Sequence, residues 1–285
     1  MTKYLVIGAN GMLGSAFVDK FTQMGLDFAG LTEKEIDITQ PKSVANISSF
    51  LPEIIINCAA YTNVDKSEEN KDIAMAVNAQ GVANIAAYCK ANGVFFVHFS
   101  TDYVFSGAKD TVYEEGDATG PNGVYGASKL EGERLLQEVL PETQCLILRT
   151  AWLYGENGKN FVQNMLNLAK IKPFLKVVND QFGCPTYTKD LVEWTLALMK
   201  EAASGLYHTV NSGSCTWYEL TKKAFELAGE TIELLPITTE EYPTPAKRPK
   251  CSILSNKKLE NKIKYAPRKW QEALSDYILS IKLLK

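Results

Sequence analysis

The 285-residue chain is poor in several features that mark common protein classes. It has only two histidines, His98 and His208, both inside apolar strand-like runs. With no cluster of His, Cys, Asp and Glu at ligand spacing, there is no metal site, and both imidazoles read as packed core groups. The six cysteines (Cys58, Cys89, Cys145, Cys184, Cys215, Cys251) form no Cys-x-x-Cys pair. That argues against zinc or a disulfide framework and for reduced thiols. Acids and bases nearly cancel, 33 against 30, which leaves no electrostatic footprint for nucleic acid or an anionic membrane. No apolar run approaches the ~18 residues of a spanning helix, and the first residues run straight into a strand pattern. The expectation is a cytoplasmic protein with no nucleic-acid or membrane partner.

What is present is alternation. Strand patterns at 3–7, 27–31, 53–58, 94–99, 145–149 and 206–210 are separated by helical patterns at 12–24, 41–50, 71–91, 125–139, 160–170 and 188–202. Near-continuous apolar strands between helices predict a parallel sheet covered on both faces, an α/β Rossmann-like doubly wound fold. Thr39 before Pro41 has the character of a helix N-cap. The acidic run Glu68-Glu69-Asn70-Lys71-Asp72 reads as a solvated helix start. Beyond about residue 211 the pattern changes to a helix from Trp217, a proline-rich loop over 242–249 and a closing helix from Trp270.

Two motifs carry chemistry. Gly8-Ala9-Asn10-Gly11-Met12-Leu13-Gly14 follows the apolar run Tyr4-Leu5-Val6-Ile7 and opens a helix. Gly8 permits the tight turn, Gly11 lets the backbone approach a pyrophosphate, and Gly14 lets helix and strand pack closely. The anion would rest on the helix N-terminus. The second motif is Ser100-Thr101-Asp102-Tyr103-Val104-Phe105 followed by Tyr125-Gly126-Ala127-Ser128-Lys129. Tyr125 and Lys129, four residues apart, share a helix face, and an ammonium beside a phenol favours the phenolate. Such a phenol can protonate a carbonyl oxygen while a nicotinamide delivers hydride, with Thr101 holding the same oxygen. The spacing alone is uninformative, because Tyr218/Lys222 and Tyr265/Lys269 share it; context separates the three.

On these motifs the chain resembles the extended short-chain dehydrogenase/reductases and, within them, the dTDP-4-dehydrorhamnose reductase family. The resemblance runs nearly end to end. It includes Asn57-Cys58-Ala59-Ala60-Tyr61-Thr62-Asn63-Val64-Asp65, Val77-Asn78-Ala79, Arg149-Thr150-Ala151-Trp152-Leu153-Tyr154-Gly155, Asp180-Gln181-Phe182-Gly183-Cys184-Pro185-Thr186, Gly205-Leu206-Tyr207-His208 and Pro243-Thr244-Pro245-Ala246-Lys247-Arg248-Pro249. It implies Thr101, Tyr125 and Lys129 as a catalytic triad, with Tyr125 as proton donor and Lys129 also on the nicotinamide ribose. It places Gly8, Asn10, Gly11, Met12 and Leu13 on the pyrophosphate, Asp37 and Ile38 on the adenine side, and Ala59, Ala60, Tyr61 and Asn78 on the rest of the cofactor. Thr62, Asp102, Tyr103 and Trp152 would meet the sugar, and Arg248 the substrate diphosphate, where a guanidinium fork matches phosphate oxygens.

The resemblance further implies NADPH or NADH as cofactor and a nucleotide-sugar ketone as substrate. It divides the chain into a dinucleotide-binding part, 1–171 plus about 187–211, and a smaller substrate-binding part, about 172–186 plus 212–285. Some relatives form magnesium-linked dimers through an acid on the first helix; this chain has Ser15 and Ala16 there, so a monomer or weak homodimer is expected. Sugar-nucleotide dehydratases carry Asp-Glu after the threonine. Tyr103 in the second position cannot act as a carboxylate base, which argues against elimination. A nucleotide-sugar epimerase, or a regulatory subunit resembling methionine adenosyltransferase β, stays open. Glu33, just past the second strand, would favour NADH by meeting a ribose 2′-hydroxyl, while neighbouring Lys34 could offset it toward NADPH.

Overall fold

A computed structural model describes residues 3–283. Six parallel strands form the central sheet: Tyr4–Ile7, Phe28–Leu31, Ile54–Asn57, Phe95–Thr101, Cys145–Thr150 and Gly205–His208. Counted in chain order, they lie in the order second, first, third, fourth, fifth, sixth across the sheet. Each strand contributes alternate residues to two cores, the pleat sending neighbours to opposite faces. Leu5, Ile7, Ile55, Phe96 and Ile147 face Val82 and Ile85 of the Gly81–Asn92 helix. Val6, Ile56, Val97, Leu146 and Leu148 face Phe17 and Phe21 of the Met12–Met24 helix and Leu191 and Leu198 of the Thr188–Lys200 helix. Phe17 and Phe21 are fully buried, each contributing roughly 1.5–3 kcal/mol of transfer free energy. Burial on both faces is why these strands read as unbroken apolar runs.

The chain leaves the first strand, adds the second on one side and then crosses to place the third on the other. That reversal opens a crevice beyond the carboxyl ends of the first and third strands, where ligands of doubly wound sheets bind.

A third core lies outside the sheet, built on the Trp217–Ala228 and Trp270–Leu283 helices. Short pairs border it: Phe174–Val178 runs parallel with Glu233–Ile237, Phe182–Gly183 antiparallel with Cys215–Thr216, and Leu153–Tyr154 parallel with Thr186–Tyr187. Segments of 172–186 and 212–283 thus meet in space. The same core also takes Tyr154, Val162 and Leu166 from before residue 171.

Several local expectations change. Thr39 is not the N-cap: the Pro41–Ala45 helix starts from Gln40, and the Thr39 hydroxyl donates to Asp37 at 2.7 Å instead. The 41–50 helix is α only to Ala45 and continues as a 3₁₀ turn, Asn46–Ser49. The 71–91 helix is interrupted by a π turn, Ala76–Gln80. The acidic run holds both a helix end and a helix start: Asp72 sits exposed in the first turn of the Lys71–Met75 helix, whereas Glu68 lies in the last turn of the Val64–Glu69 helix, and its carboxylate accepts from Val124 N–H at 2.9 Å, capping the Val124–Val139 helix. The Lys257–Ile263 helix had no sequence signal strong enough to stand out.

Candidate active site

The glycine motif folds as a turn directly after the first strand. Gly8 adopts φ +78°, and a Cβ at Gly14 would overlap the Gly8 carbonyl oxygen, so the helix starts in contact with the turn. That helix has no side-chain cap and no acid in its first turn, which leaves its N–H groups to an anion. In front of it lies a cleft of about 490 Å³. Gly8, Asn10, Gly11, Asp37, Ile38, Ala59 and Ala60 line it, together with Thr32, Glu33 and Val77. The cleft, whose floor at Gly8 leaves no room for a Cβ against Ala59, fits a dinucleotide.

Several members of the predicted set have side chains engaged within the protein. Leu13 is buried in the core, and Met12 packs under Gly158. Asn78 is 1% exposed, and its carboxamide holds the backbone N–H and C=O of Tyr61 at 2.8 and 3.0 Å and the Ser128 hydroxyl at 2.9 Å. Both its donor hydrogens are committed within the protein, where it pins the 59–63 loop to the Val124–Val139 helix. Asp37 Oδ1 accepts from Thr39 N–H and O–H. Glu33 is exposed, with its carboxylate on Asn10 at 2.9 Å. A backbone hydrogen bond and the Asn10 amide hold it below the usual carboxylate range.

Thr101 ends the fourth strand, and the chain continues as a 3₁₀ turn, Asp102–Val104. The Thr101 hydroxyl donates to Asp102 Oδ1 at 3.0 Å and accepts from Tyr103 N–H at 3.2 Å. Asp102 is 2% exposed, and its second oxygen accepts from Ser252 Oγ at 2.6 Å. Burial pushes its carboxyl up to about 6, the Ser252 and Thr101 hydroxyls opposing. The rings of Tyr103 and Tyr125 meet edge to face at 5.6 Å.

The phenol of Tyr125 departs from the expected tuning. Burial pushes it up to about 12, with the nearby Thr101 hydroxyl pulling down and the Asp102 charge adding to the rise. Lys129 is buried, and its ammonium donates to the Phe99 carbonyl at 2.6 Å and lies 3.4 Å from His98 Nε2. Burial lowers Lys129 to about 8, against the pull of the Glu133 carboxylate. Glu133 itself is held bidentately by Arg149, at 2.9 and 2.6 Å, both side chains within 5% exposure. The lysine thus acts inside a buried charge network, whereas the spacing had suggested a simple Tyr–Lys pair.

Trp152, Arg248 and Thr62 complete the expected set. Trp152 sits at φ +46°, a left-handed conformation costing on the order of 1–3 kcal/mol for a residue with a side chain. Its indole stacks on Trp217 with centroids 3.4 Å apart and 6° between planes, and the Trp217 indole N–H donates to Gln181. Arg248 pairs with Asp65 at 2.8 Å and keeps one buried nitrogen, Nη1, without a hydrogen-bond partner among the described residues. The Ser252–Asp102 bond and the packing of Pro249 against Gly107 bring the proline-rich loop to the Thr101–Tyr103 segment. Thr62 is exposed on the loop above. Sequence reasoning missed His98, Glu133, Arg149, Trp217 and Ser252. Glu133 could have been found, one helical turn past Lys129; the others come from distant segments.

A dinucleotide cleft at the switch point, with Thr101 at the end of the fourth strand and Tyr125 and Lys129 on the Val124–Val139 helix packed against it, defines an oxidoreductase-type site of the extended short-chain dehydrogenase/reductase class. Comparison with known proteins narrows this. The RmlD substrate binding domain family matches residues 2–282. The spore coat polysaccharide biosynthesis protein SpsK of Bacillus subtilis is 41% identical over 98% of this chain and 97% of its own. The crystal structure of a dTDP-4-dehydrorhamnose reductase from Clostridium acetobutylicum superposes with TM-score 0.95 at 40% identity, covering 99% of this chain and all of that one. A dTDP-4-dehydrorhamnose reductase from Bacillus anthracis, solved in complex with NADP, gives TM-score 0.94 at 38% identity over 98% of this chain and all of that one. The chain belongs to the RmlD family of dTDP-4-dehydrorhamnose reductases.

Proposed function

We propose that this protein uses NADPH or NADH to reduce the 4-keto group of dTDP-4-dehydro-L-rhamnose to dTDP-L-rhamnose. The observation that carries the reading is that Thr101 meets Tyr125 and Lys129 meets Phe99 at the end of the fourth strand, with Cys58 of the glycine cleft beside Lys129. When bound, the reduced nicotinamide supplies the hydride. Tyr125 gives its proton to the substrate oxygen, and Thr101 orients that oxygen from the strand end. Lys129 supports the phenolate that remains. The glycine turn takes the pyrophosphate, and Asp37, Ile38, Ala59 and Ala60 border the adenosine side. Asp102, Tyr103, Trp152 and Thr62 meet the sugar, and Arg248, with its unpartnered Nη1, meets the diphosphate.

In this reading residues 1–171 with about 187–211 bind the cofactor, and about 172–186 with 212–285 bind the substrate. The enzyme works in the cytoplasm as a monomer or weak homodimer, with no nucleic-acid or membrane partner. The test is incubation with dTDP-4-dehydro-L-rhamnose and reduced cofactor, following nicotinamide absorbance and product. Stoichiometric oxidation with formation of dTDP-L-rhamnose is expected. Sugar interconversion without net oxidation would replace the reading with an epimerase, and dinucleotide binding with no turnover would replace it with a regulatory subunit. Tyr125→Phe should lower turnover by about 10²–10⁴-fold with cofactor affinity nearly unchanged. Near-normal turnover of that variant would remove Tyr125 from the proton-donor role.

A further inference from the structure

His98 is the one polar side chain in the apolar run Phe95–Phe99, and it is fully buried. A buried imidazole needs partners for its nitrogens, and it has two that point toward the candidate active site. Nδ1 faces Asn57 Nδ2 at 3.3 Å, across paired strands in which Asn57 and His98 are register partners. Nε2 faces Lys129 Nζ at 3.4 Å. The direction of the first contact is fixed by a third group. Asn57 Oδ1 accepts from Ala59 N–H at 3.1 Å, so the amide nitrogen of Asn57 is the end presented to the ring. Nδ1 must then be the acceptor, and the single proton of the neutral ring sits on Nε2.

An imidazole N–H aimed at a lysine nitrogen cannot accept a hydrogen bond from an ammonium; it can only donate to the lone pair of an amine. We propose that His98 is a positioning residue for Lys129, fixing the place of its side-chain nitrogen and favouring its neutral form through Nε2–H. The inference rests on the role assigned to Lys129 above. Other groups around Lys129 act in opposite directions. Glu133, one turn on along the same helix, favours the ammonium but is engaged by Arg149 from the fifth strand. Cys58, from the loop after the third strand, faces Lys129 as a thiol that burial keeps protonated. The Phe99 carbonyl accepts from the lysine in either protonation state. The ring is neutral because burial and the lysine charge hold its pKa well below the ordinary value. Lys129 itself titrates at about 8, close to neutrality for a lysine. A group poised near the operating pH exchanges its proton at least cost, which suits a residue that supports a phenol through turnover.

The presence of only two histidines makes a direct test practicable. In ¹⁵N-histidine-labelled protein, long-range proton–nitrogen correlations should show His98 as a neutral ring with a pyridine-like Nδ1 and a pyrrole-like Nε2. His98→Gln, which loses its signal, makes the assignment. The opposite tautomer, or a protonated ring at neutral pH, would overturn the proposal. Two variants then test its consequence. His98→Gln offers an amide oxygen where Nε2 stood. Asn57→Asp keeps the acceptor for Ala59 N–H and forces the proton onto Nδ1, leaving Nε2 to accept. Each should move the basic limb of the pH–kcat profile upward by about one unit, the scale of one hydrogen bond to an ionised group. Folded variants that bind cofactor normally and keep the parent's basic limb would refute it. Because the tautomer is read without substrate, failure of the reductase reading would appear separately, as absence of turnover in the parent.

Discussion

Replacing Asp102 by Asn should make the protein more stable and less active. Asp102 is 2% exposed, and burial lifts its carboxyl from the ordinary 3.8 to about 6. A carboxyl whose folded pKa lies above its unfolded one binds more protons in the native state. Its ionisation therefore removes stability as pH rises from about 4 to 6, and the loss is complete above that window. About two pH units at about 1.36 kcal/mol each gives a cost of up to about 3 kcal/mol at pH 7. Asparagine has nearly the same shape and no charge. Its oxygen can still accept from Thr101, and its amide can donate to Ser252 once that hydroxyl turns; imperfect geometry gives back about 1 kcal/mol. The net expectation is about 1–3 kcal/mol of stabilisation at pH 7.5 and little or none at pH 4. Urea unfolding followed by circular dichroism, run on both proteins at several pH values, measures the difference directly. On the proposed reading the same change weakens sugar binding, a trade of activity against stability. A variant less stable than the parent at pH 7.5, or a difference that ignores pH, would refute the reasoning.

Arg149→Leu leaves the Glu133 carboxylate buried without its bidentate partner and should cost about 3–5 kcal/mol in urea unfolding, whereas adding Glu133→Leu should restore most of it. Gly183→Ala places a Cβ 2.6 Å from the Trp152 indole nitrogen, so stability should fall by about 1–3 kcal/mol, with a higher KM for substrate and an altered near-ultraviolet tryptophan signal. Glu33→Arg removes an acid from the dinucleotide cleft and should move the ratio of kcat/KM for NADPH over NADH upward by roughly tenfold, about 1.4 kcal/mol. An unmoved ratio would place Glu33 away from the cofactor ribose.

The sheet was legible because its strands are buried on both faces and its glycine turn is local. Gly8, Gly11 and Gly14 follow one another within a single turn and helix start, and their backbone roles are set by short-range sterics. The Tyr125–Lys129 pair was legible for the same reason, as a spacing on one helix. What happens to Lys129 was not, because Phe99 and His98 reach it from the fourth strand and Glu133, itself held by Arg149 of the fifth, from the next helix turn, and those registers are tertiary facts. The expectation of a lysine-lowered phenol failed there. It weighed one pair of charges and omitted the burial that raises Tyr125 and lowers Lys129 together. Asn78 shows a related limit. Its bonds to Tyr61 and Ser128 depend on the π turn around it, which no short motif encodes. The region beyond residue 211 was least legible, since its strands are short and pair with segments some 30 to 60 residues away.

The stacked indoles of Trp152 and Trp217 have a consequence for how this site can change over generations. Trp152 occupies the space that any side chain at position 183 would need, and its left-handed backbone is tolerated while the stack holds it. Substitutions at these positions therefore commute poorly. A lineage that first shrinks residue 152 can later enlarge residue 183 without a clash, and once it has done so the indole cannot return. A lineage that begins at 183 must pass through an overpacked intermediate. Such an ordering acts as a ratchet, and related chains should hold either a large residue at 152 with glycine at 183 or the reverse, with the doubly large combination missing.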